Sequence, residues 1–159
     1  MDFGLLGFIH GLQTNEWDNV PDHEVFLTAG ATLVNSNFVD GTFEGNDLPY
    51  VPHETVTFGV KYSYRDRFDL LFQGRYVGDR FTDNANTVDQ NAAGTIGLME
   101  AYTVFDLKSR WQVTERFALN AGINNLFDET YATQRRTDQQ KGIFPGPTRQ
   151  FYVGATLRF

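Results

Sequence analysis

The sequence predicts an all-β fold: an antiparallel, up-and-down transmembrane β-barrel segment of about seven strands, which is an incomplete barrel. Three observations support this prediction. Apolar and polar residues alternate with a period of two in seven segments, and no segment has a credible helical period. Long polar connections alternate with tight turns along most of the chain. The 15 Phe, 7 Tyr and 2 Trp residues are of types that strands favour.

The clearest alternation lies in 150–159, the last segment of the chain. One parity there is apolar and the other is small or polar: Phe151, Val153, Ala155, Leu157 and Phe159 against Tyr152, Gly154, Thr156 and Arg158. Similar strands are predicted at 55–64, 102–113 and 117–125, and looser ones at 3–12, 25–34 and 68–77. Each of these segments therefore has one face suited to an apolar environment.

The connections differ strongly in length. The segments 65–67 and 114–116 are tight turns, whereas 35–54, 78–101 and 127–149 are long and polar, and 13–23 is intermediate. Outer-membrane barrels place short turns on the periplasmic side and long loops outside, so the alternation favours a membrane barrel over a soluble sandwich.

Charged strand residues share the polar parity, at Lys61, Arg75, Asp106, Lys108, Arg110 and Arg158. Arg or Lys facing lipid at mid-membrane costs about 2–4 kcal/mol, so these side chains are expected to face a wet barrel interior. A soluble sheet with one solvated face would segregate charge in the same way. Parity therefore supports the strand phasing but does not by itself distinguish the inside from the outside.

Composition excludes several classes of function. The formal net charge of −7 comes without a basic stripe, so no nucleic-acid partner is expected. The chain has no Cys, and His10, His23 and His53 lie on different segments, so no metal site and no cofactor are predicted. No P-loop, nucleophile elbow or zinc-binding helix motif is present, so no enzymatic activity is predicted.

Four motifs in the right order carry a resemblance to a known family. Residues 124–132, Asn-Asn-Leu-Phe-Asp-Glu-Thr-Tyr-Ala, closely resemble the penultimate-strand signature of TonB-dependent outer-membrane receptors. The Gly/Pro-rich segment 142–149 and a final strand that ends on Phe159 follow in the family's usual order, and the segments 47–53 and 76–83 resemble other late parts of the family's barrel. The first forty residues match only in their alternation.

The resemblance implies a receptor in the outer membrane of a Gram-negative bacterium that imports a ferric siderophore, ferric citrate or a similar nutrient. The family's barrel has about 22 strands around a plug. Residues 1–159 contain nothing like the plug or the N-terminal segment that engages TonB, so they are expected to be the C-terminal part of such a barrel. Expected partners are membrane lipid, a ferric chelate and the barrel-assembly machinery, with the TonB complex reached only through the missing part.

Two groups of residues are candidates for function. Arg135 and Arg136, in the last long loop, are the best candidates for contacting an anionic ferric chelate, because guanidinium groups bind carboxylates in bidentate fashion. Gly154, Leu157 and Phe159 resemble the signal that the barrel-assembly machinery recognises, and a terminal aromatic ring suits the membrane interface. The alternatives are an ordinary solvated charge pair and an ordinary final strand.

Two other folds fit parts of the pattern. A complete eight-stranded outer-membrane barrel has about this length, but its eighth strand would have to lie within 84–100, where 86–97 is very polar. A soluble lipocalin-like carrier would direct its apolar side chains into a closed pocket and would need no detergent.

Overall fold

The computed structural model describes residues 22–137 and 141–159, and every regular element in them is a β-strand. In chain order the strands are β1 (His23–Leu33), β2 (Glu54–Tyr64), β3 (Phe68–Val77), β4 (Tyr102–Gln112), β5 (Phe117–Asn124), β6 (Ala132–Arg136), β7 (Gly142–Pro145) and β8 (Gln150–Leu157). The predicted all-β fold is therefore confirmed. No helix in this part of the chain is long and apolar enough to cross a membrane. The predicted strand at 3–12 lies outside the described residues.

Six strands form one antiparallel sheet in the order β1-β2-β3-β4-β5-β8, and β6 and β7 form a separate hairpin. Each strand of the main sheet pairs with the strand that follows it in the chain, with one exception. β5 pairs with β8, and the β6–β7 hairpin lies between them in the sequence. Within the described residues β1 and β8 are edges that do not pair with each other, so the sheet is open. Neither a closed eight-stranded barrel nor a closed lipocalin-like barrel is present in this part of the chain.

The connections lie as the alternation of lengths predicts. Because neighbouring strands are antiparallel, the long loops L1 (34–53), L2 (78–101) and L3 (125–149) all lie at one end of the sheet. The tight turns at 65–67 and 113–116 lie at the other end. L2 contains no strand, only an isolated bridge between Arg80 and Met99, so no eighth barrel strand lies within 84–100.

The hairpin in L3 differs from the expectation of an irregular loop. β6 and β7 have only five and four residues, and their register shifts between Ala132 and Gln134, so the sequence shows no clear alternation. Side chains stabilise the pairing: the Thr133 hydroxyl donates to the Phe144 carbonyl, and the Arg136 guanidinium lies 5.4 Å from the centre of the Phe144 ring.

The register gives the sheet two different faces, because residues paired across strands point to the same side. The polar face carries the charged residues predicted to share it: Lys61, Arg75, Asp106, Lys108 and Arg110. The apolar face carries aliphatic and aromatic side chains from all six strands, among them Leu27, Val60, Phe72, Leu107, Leu119 and Val153. Arg158 follows the end of β8.

Aromatic rings pack along the apolar face but leave much of it uncovered. Phe105 stacks on Phe72, with ring centres 5.4 Å apart, and meets Phe58 edge-on at 5.7 Å. The Phe58 ring lies over its cross-strand partner Gly74, where a Cβ atom would overlap it. Val153 is nevertheless 81% exposed. At the loop end Phe127 of L3 meets Phe105 edge-on at 5.3 Å, but most of the face stays uncovered by the described residues. So large an apolar surface indicates that it contacts another apolar environment.

Candidate functional site at the loop end of the polar face

An open chamber of about 750 Å³ lies on the polar face, where the strands meet the base of L3. Hydroxyl and amide side chains from the strands and from L3 line part of its wall: Thr28, Thr57, Gln73, Asn124, Thr148 and Gln150. Tyr131 and Pro147 of L3 also line it, together with apolar or glycine residues of the strands such as Phe58, Gly74 and Val104. Arg75 of β3 and Asp106 of β4 are the charged residues of the wall. The chamber therefore has a mixed polar and apolar wall that carries one charge of each sign.

The two charged residues differ in their partners. The Asp106 carboxylate accepts the Asn125 N–H at 3.0 Å and the Gln73 side-chain amide at 3.4 Å, and it lies 3.9 Å from the Lys108 Nζ atom. Arg75 is exposed and makes no hydrogen bond or ion pair with the described residues. The carboxylate is thus neutralised by protein donors, and the guanidinium is the charge that the chamber presents to solvent.

Tyr131 closes the chamber on the side of L3. Its ring stacks on Tyr102 with centres 4.2 Å apart, and it packs where a Cβ atom of Gly146 would lie. Burial raises the pKa of the Tyr131 phenol, and the neighbouring Tyr102 raises it further, although Arg75 opposes the shift. The phenol therefore remains a protonated hydrogen-bond donor at neutral pH.

Asn125 anchors both ends of L3. It is only 3% exposed and has a positive φ of 52°, a conformation that Asn tolerates better than most residues. Its side-chain oxygen accepts the Glu129 N–H at 2.8 Å, and its amide donates to the carbonyls of Glu129 at 2.9 Å and Pro147 at 3.0 Å. Asp128 adds a second tie by accepting the Arg149 N–H at 2.8 Å. The 124–132 motif thus joins the start of L3 to its end.

Two buried arginines join L2 to L3 reciprocally. Arg80 of L2 donates to the Ala132 carbonyl at 3.3 Å, and Arg135 of L3 donates to the carbonyls of Gly94 at 3.1 Å and Leu98 at 3.2 Å. Each arginine is 8% exposed, and no carboxylate of the described residues pairs with either. We call Arg80 and Arg135 the arginine clasp. Because both cations bind neutral carbonyls, the clasp holds the two loops by charge-assisted hydrogen bonds.

L1 is tied to the other two loops. The Tyr50 hydroxyl donates to the Arg135 carbonyl at 2.7 Å, and the Tyr50 N–H donates to the Phe81 carbonyl at 2.8 Å. The Asn86 side chain accepts the Asp47 N–H at 2.7 Å and donates to the Asp47 carbonyl at 3.0 Å. The three loops therefore form one hydrogen-bonded unit above the chamber.

We expect the hydrogen bond between His53 and Asp47, which joins two parts of L1, to depend on pH. The hydrogen bond from His53 to Asp47, at 3.0 Å, raises the pKa of the imidazole, which also feels the charge of Glu54. A raised pKa stabilises the folded loop at low pH, and this contribution is lost as pH rises through the folded pKa. Cleavage within L1 by an added protease, normalised to cleavage within L2, should increase between about pH 6 and about pH 8. A His53→Gln variant should lack this increase; an equal increase in both proteins would contradict the prediction.

The residues predicted from the sequence lie at both ends of the sheet. Arg135 belongs to the clasp, so its guanidinium is already hydrogen-bonded, whereas the neighbouring Arg136 is half-buried against Phe144. Gly154 lies within β8, Leu157 ends it, and Phe159 is fully exposed beyond it at the turn end. Ligand contact for the two arginines and an assembly role for these three residues remain predictions.

Sequence reasoning did not identify Arg75 or Asn125 as functional residues. The sequence places Arg75 on the polar face, but which side chains surround it is visible only when the neighbouring strands are paired. Asn125 belongs to the 124–132 motif. The sequence feature that indicates its anchoring role is the presence of Asn and Asp, residues that favour turns, at the start of L3. The described residues contain no group of three side chains that could hold a metal ion.

Comparison with known proteins identifies the family. Residues 3–126 match the family model described as TonB dependent receptor-like, beta-barrel. The chain belongs to this family. TonB-dependent receptors are transport receptors rather than enzymes, and the match confirms the resemblance that the four motifs indicated.

Individual TonB-dependent receptors are similar over parts of the chain. The vitamin B12 transporter BtuB of Vibrio vulnificus is 30% identical over 94 residues, which are 59% of this chain and 13% of that protein. The ferrienterobactin receptor of Escherichia coli K12 is 23% identical over 133 residues, 75% of this chain and 18% of that protein. The crystal structure of the unliganded ferric citrate transporter FecA superposes with a TM-score of 0.79 and 27% identity, covering 85% of this chain and 21% of FecA.

The chain thus spans about a fifth or less of the length of these relatives. The open six-stranded sheet corresponds to part of a TonB-dependent barrel.

Proposed function

We propose that residues 1–159 are the C-terminal barrel wall and extracellular loops of a larger TonB-dependent receptor. This receptor lies in the outer membrane of a Gram-negative bacterium and imports a ferric siderophore, ferric citrate or a similar nutrient. The observation that carries the proposal is the two-faced open sheet, which superposes on the ferric citrate transporter FecA over 85% of the chain. The motifs at 124–132 and 142–149 support its position at the end of the barrel.

The dimensions and faces of the sheet support membrane insertion. Strands β1, β2 and β4 have 11 residues each and are about 36 Å long at 3.3 Å per residue, which suits a tilted transmembrane strand. The uncovered apolar face would contact lipid, and the polar face would line the barrel interior. L1, L2 and L3 would then lie outside the cell, and the chain would reach the TonB complex only through parts of the receptor beyond these residues.

In this proposal the two loop arginines have different roles. Arg136 contacts the anionic chelate, whereas Arg135 holds L3 against L2 from within the clasp. Gly154, Leu157 and Phe159, at the opposite end of the sheet, serve as the signal for the barrel-assembly machinery. The chain itself performs no catalysis; it supplies wall, loops and assembly signal.

Uptake of radioactive iron tests the proposal. Iron-starved cells that carry the full receptor should accumulate ⁵⁵Fe from at least one ferric chelate, and cells lacking its gene should not. A protonophore should abolish the uptake, because transport through TonB needs the energised inner membrane. Uptake that is equal with and without the gene for every ferric chelate would contradict the assignment to iron import.

A pair of neighbouring variants tests the division of roles between the loop arginines. Arg136→Met should lower the apparent affinity for the chelate about tenfold, the effect of about 1.4 kcal/mol, while L2 stays as resistant to protease as before because the clasp is intact. Arg135→Met should make L2 and L3 markedly more susceptible to cleavage, because the Gly94 and Leu98 carbonyls lose their donors. If L2 became more susceptible to protease in the Arg136 variant alone, the roles proposed for Arg135 and Arg136 would be wrong.

A further inference from the structure

We propose that a cleft on the apolar face of the sheet, at the start of L3, holds an acyl chain of lipid A, and that Phe127 is the residue that forms this cleft. Lipid A is the phosphorylated, multiply acylated lipid of the outer leaflet of a Gram-negative outer membrane. The inference rests on the proposed position of the chain in that membrane and goes beyond it by assigning one lipid to one cleft. Because the cleft lies on the outside of the barrel, it does not depend on the plug.

L3 begins on the apolar side of the sheet. The Phe127 ring meets the Phe105 ring edge-on, with ring centres 5.3 Å apart. Phe105 lies on the apolar face of β4, where its ring stacks on Phe72. The preceding Leu126 donates its N–H to the Phe105 carbonyl at 2.6 Å, so the backbone here is still held by β4. The start of L3 is therefore fixed against the face that would contact lipid.

Phe127 and the two strands enclose an apolar cleft of about 380 Å³. Tyr76, Thr103 and Phe105 line it from the apolar face of β3 and β4, and Glu129 of L3 adds a polar group. Phe127 remains 65% exposed although its ring packs on Phe105. One side of the ring therefore stays open to whatever fills the cleft, and burial of this apolar surface favours an acyl chain.

The cleft lies where the apolar face gives way to polar groups. Tyr76 is the residue before the last of β3, and Glu54 is the first residue of β2, so both lie at the loop end of the sheet. The Tyr76 hydroxyl donates to the Glu54 carboxylate at 3.2 Å. Aromatic residues with a polar tip are favoured at the boundary between lipid and water. The cleft is therefore at the level where the acyl chains of the outer leaflet would begin.

A cation close to the cleft suits the phosphate groups of lipid A. Asp128 follows Phe127 directly, and its carboxylate accepts the Arg149 N–H at 2.8 Å. The Arg149 guanidinium lies 3.8 Å from the same carboxylate, and its side chain is 41% exposed. An exposed guanidinium with so long an ion pair can also bind a phosphate group. The apolar cleft and the nearby cation together fit an acylated lipid with an anionic headgroup.

Limited proteolysis of the purified full receptor in lipid nanodiscs tests the inference. Cleavage within L3 is compared between discs of phosphatidylethanolamine alone and discs that also contain lipid A. Because a lipid in the cleft would hold the start of L3 against β4, we expect lipid A to slow this cleavage about fivefold or more. Phe127→Ala should abolish the difference between the two kinds of disc. Phe151→Ala is the matched control and should keep it, because Phe151 is exposed on the same face but does not line the cleft.

Three results would overturn the inference. Protection by lipid A that persists in Phe127→Ala would mean that the cleft is not the site. Protection that is lost in Phe151→Ala as well would mean general contact with lipid rather than binding in one cleft. Equal cleavage of the unchanged receptor in both kinds of disc would exclude lipid A as the occupant.

A photoreactive residue keeps the inference testable if Phe127→Ala loosens L3 by itself. With p-benzoylphenylalanine in place of Phe127, the full receptor in illuminated cells should crosslink to lipid A. The same residue in place of Thr57, on the polar face, should not. Crosslinks to phospholipid or protein alone, or none, would overturn the inference and leave iron import standing, because neither experiment measures uptake. A receptor absent from the outer-membrane fraction would remove the proposed location together with the inference.

Discussion

Replacing Val153 by Arg should prevent the receptor from accumulating in the outer membrane. Val153 lies on the apolar face of β8, opposite Ala121, and is 81% exposed, so it would face lipid near the middle of the strand. An arginine there costs about 2–4 kcal/mol in the membrane. We expect the folded, heat-modifiable receptor to fall at least tenfold in outer-membrane fractions analysed by immunoblot.

Thr156→Arg is the control on the same strand. Thr156 is also exposed but pairs with Ala118 on the polar face, so its replacement would point to the wet interior. We expect this variant to assemble at nearly the normal level. Equal assembly of the two variants would mean that the faces are reversed or that neither contacts lipid.

Replacing Asn125 by Ala should destabilise L3 more than any other single change in the loops. The substitution removes three side-chain hydrogen bonds, to the Glu129 N–H and to the carbonyls of Glu129 and Pro147, and it leaves Ala at a positive φ. With about 1 kcal/mol for each bond and a similar cost for the backbone, the loss is about 3–4 kcal/mol. Limited proteolysis of the purified receptor should show cleavage within L3 at protease concentrations at least tenfold lower.

Two variants separate the causes of this effect. Asn125→Gly removes the hydrogen bonds but adopts the positive φ freely, so it should recover about 1 kcal/mol of the loss. Asn124→Ala changes the neighbouring residue of the motif, which lines the chamber and makes no side-chain hydrogen bond with the described residues. It should leave L3 protected. If Asn124→Ala exposes L3 as much as Asn125→Ala does, the anchoring role of Asn125 is wrong.

Most of the main sheet could be predicted because the pattern that indicates a strand lies within the strand's own sequence. Alternation of apolar and polar residues predicts all six strands of the main sheet to within two residues at each end, and the polar parity correctly groups Lys61, Arg75 and Asp106 on one face. The tight turns and long loops then required an antiparallel order. Such features need only the two-residue period of a strand.

The hairpin and the loop contacts could not be predicted because their causes are non-local. β6 and β7 are too short to show a period, and their pairing depends on contacts such as Arg136 with Phe144. Arg80 and Arg135 are 55 residues apart in the chain, and their carbonyl partners carry no side-chain signal at all. Arg135 and Arg136 therefore look equivalent in the sequence. Only the folded structure shows that they have different contacts, Arg135 with L2 carbonyls and Arg136 with Phe144.

An immunoblot of native outer membranes, with an antibody raised against L3, tests the central claim most directly. If the chain is the C-terminal part of a TonB-dependent receptor, the antibody should detect an outer-membrane band several times larger than the 18.1 kDa of these residues. The chain spans about a fifth of FecA, so a band near five times that mass is expected. A heat-modifiable band at 18.1 kDa, or a band confined to the soluble fraction, would contradict the account.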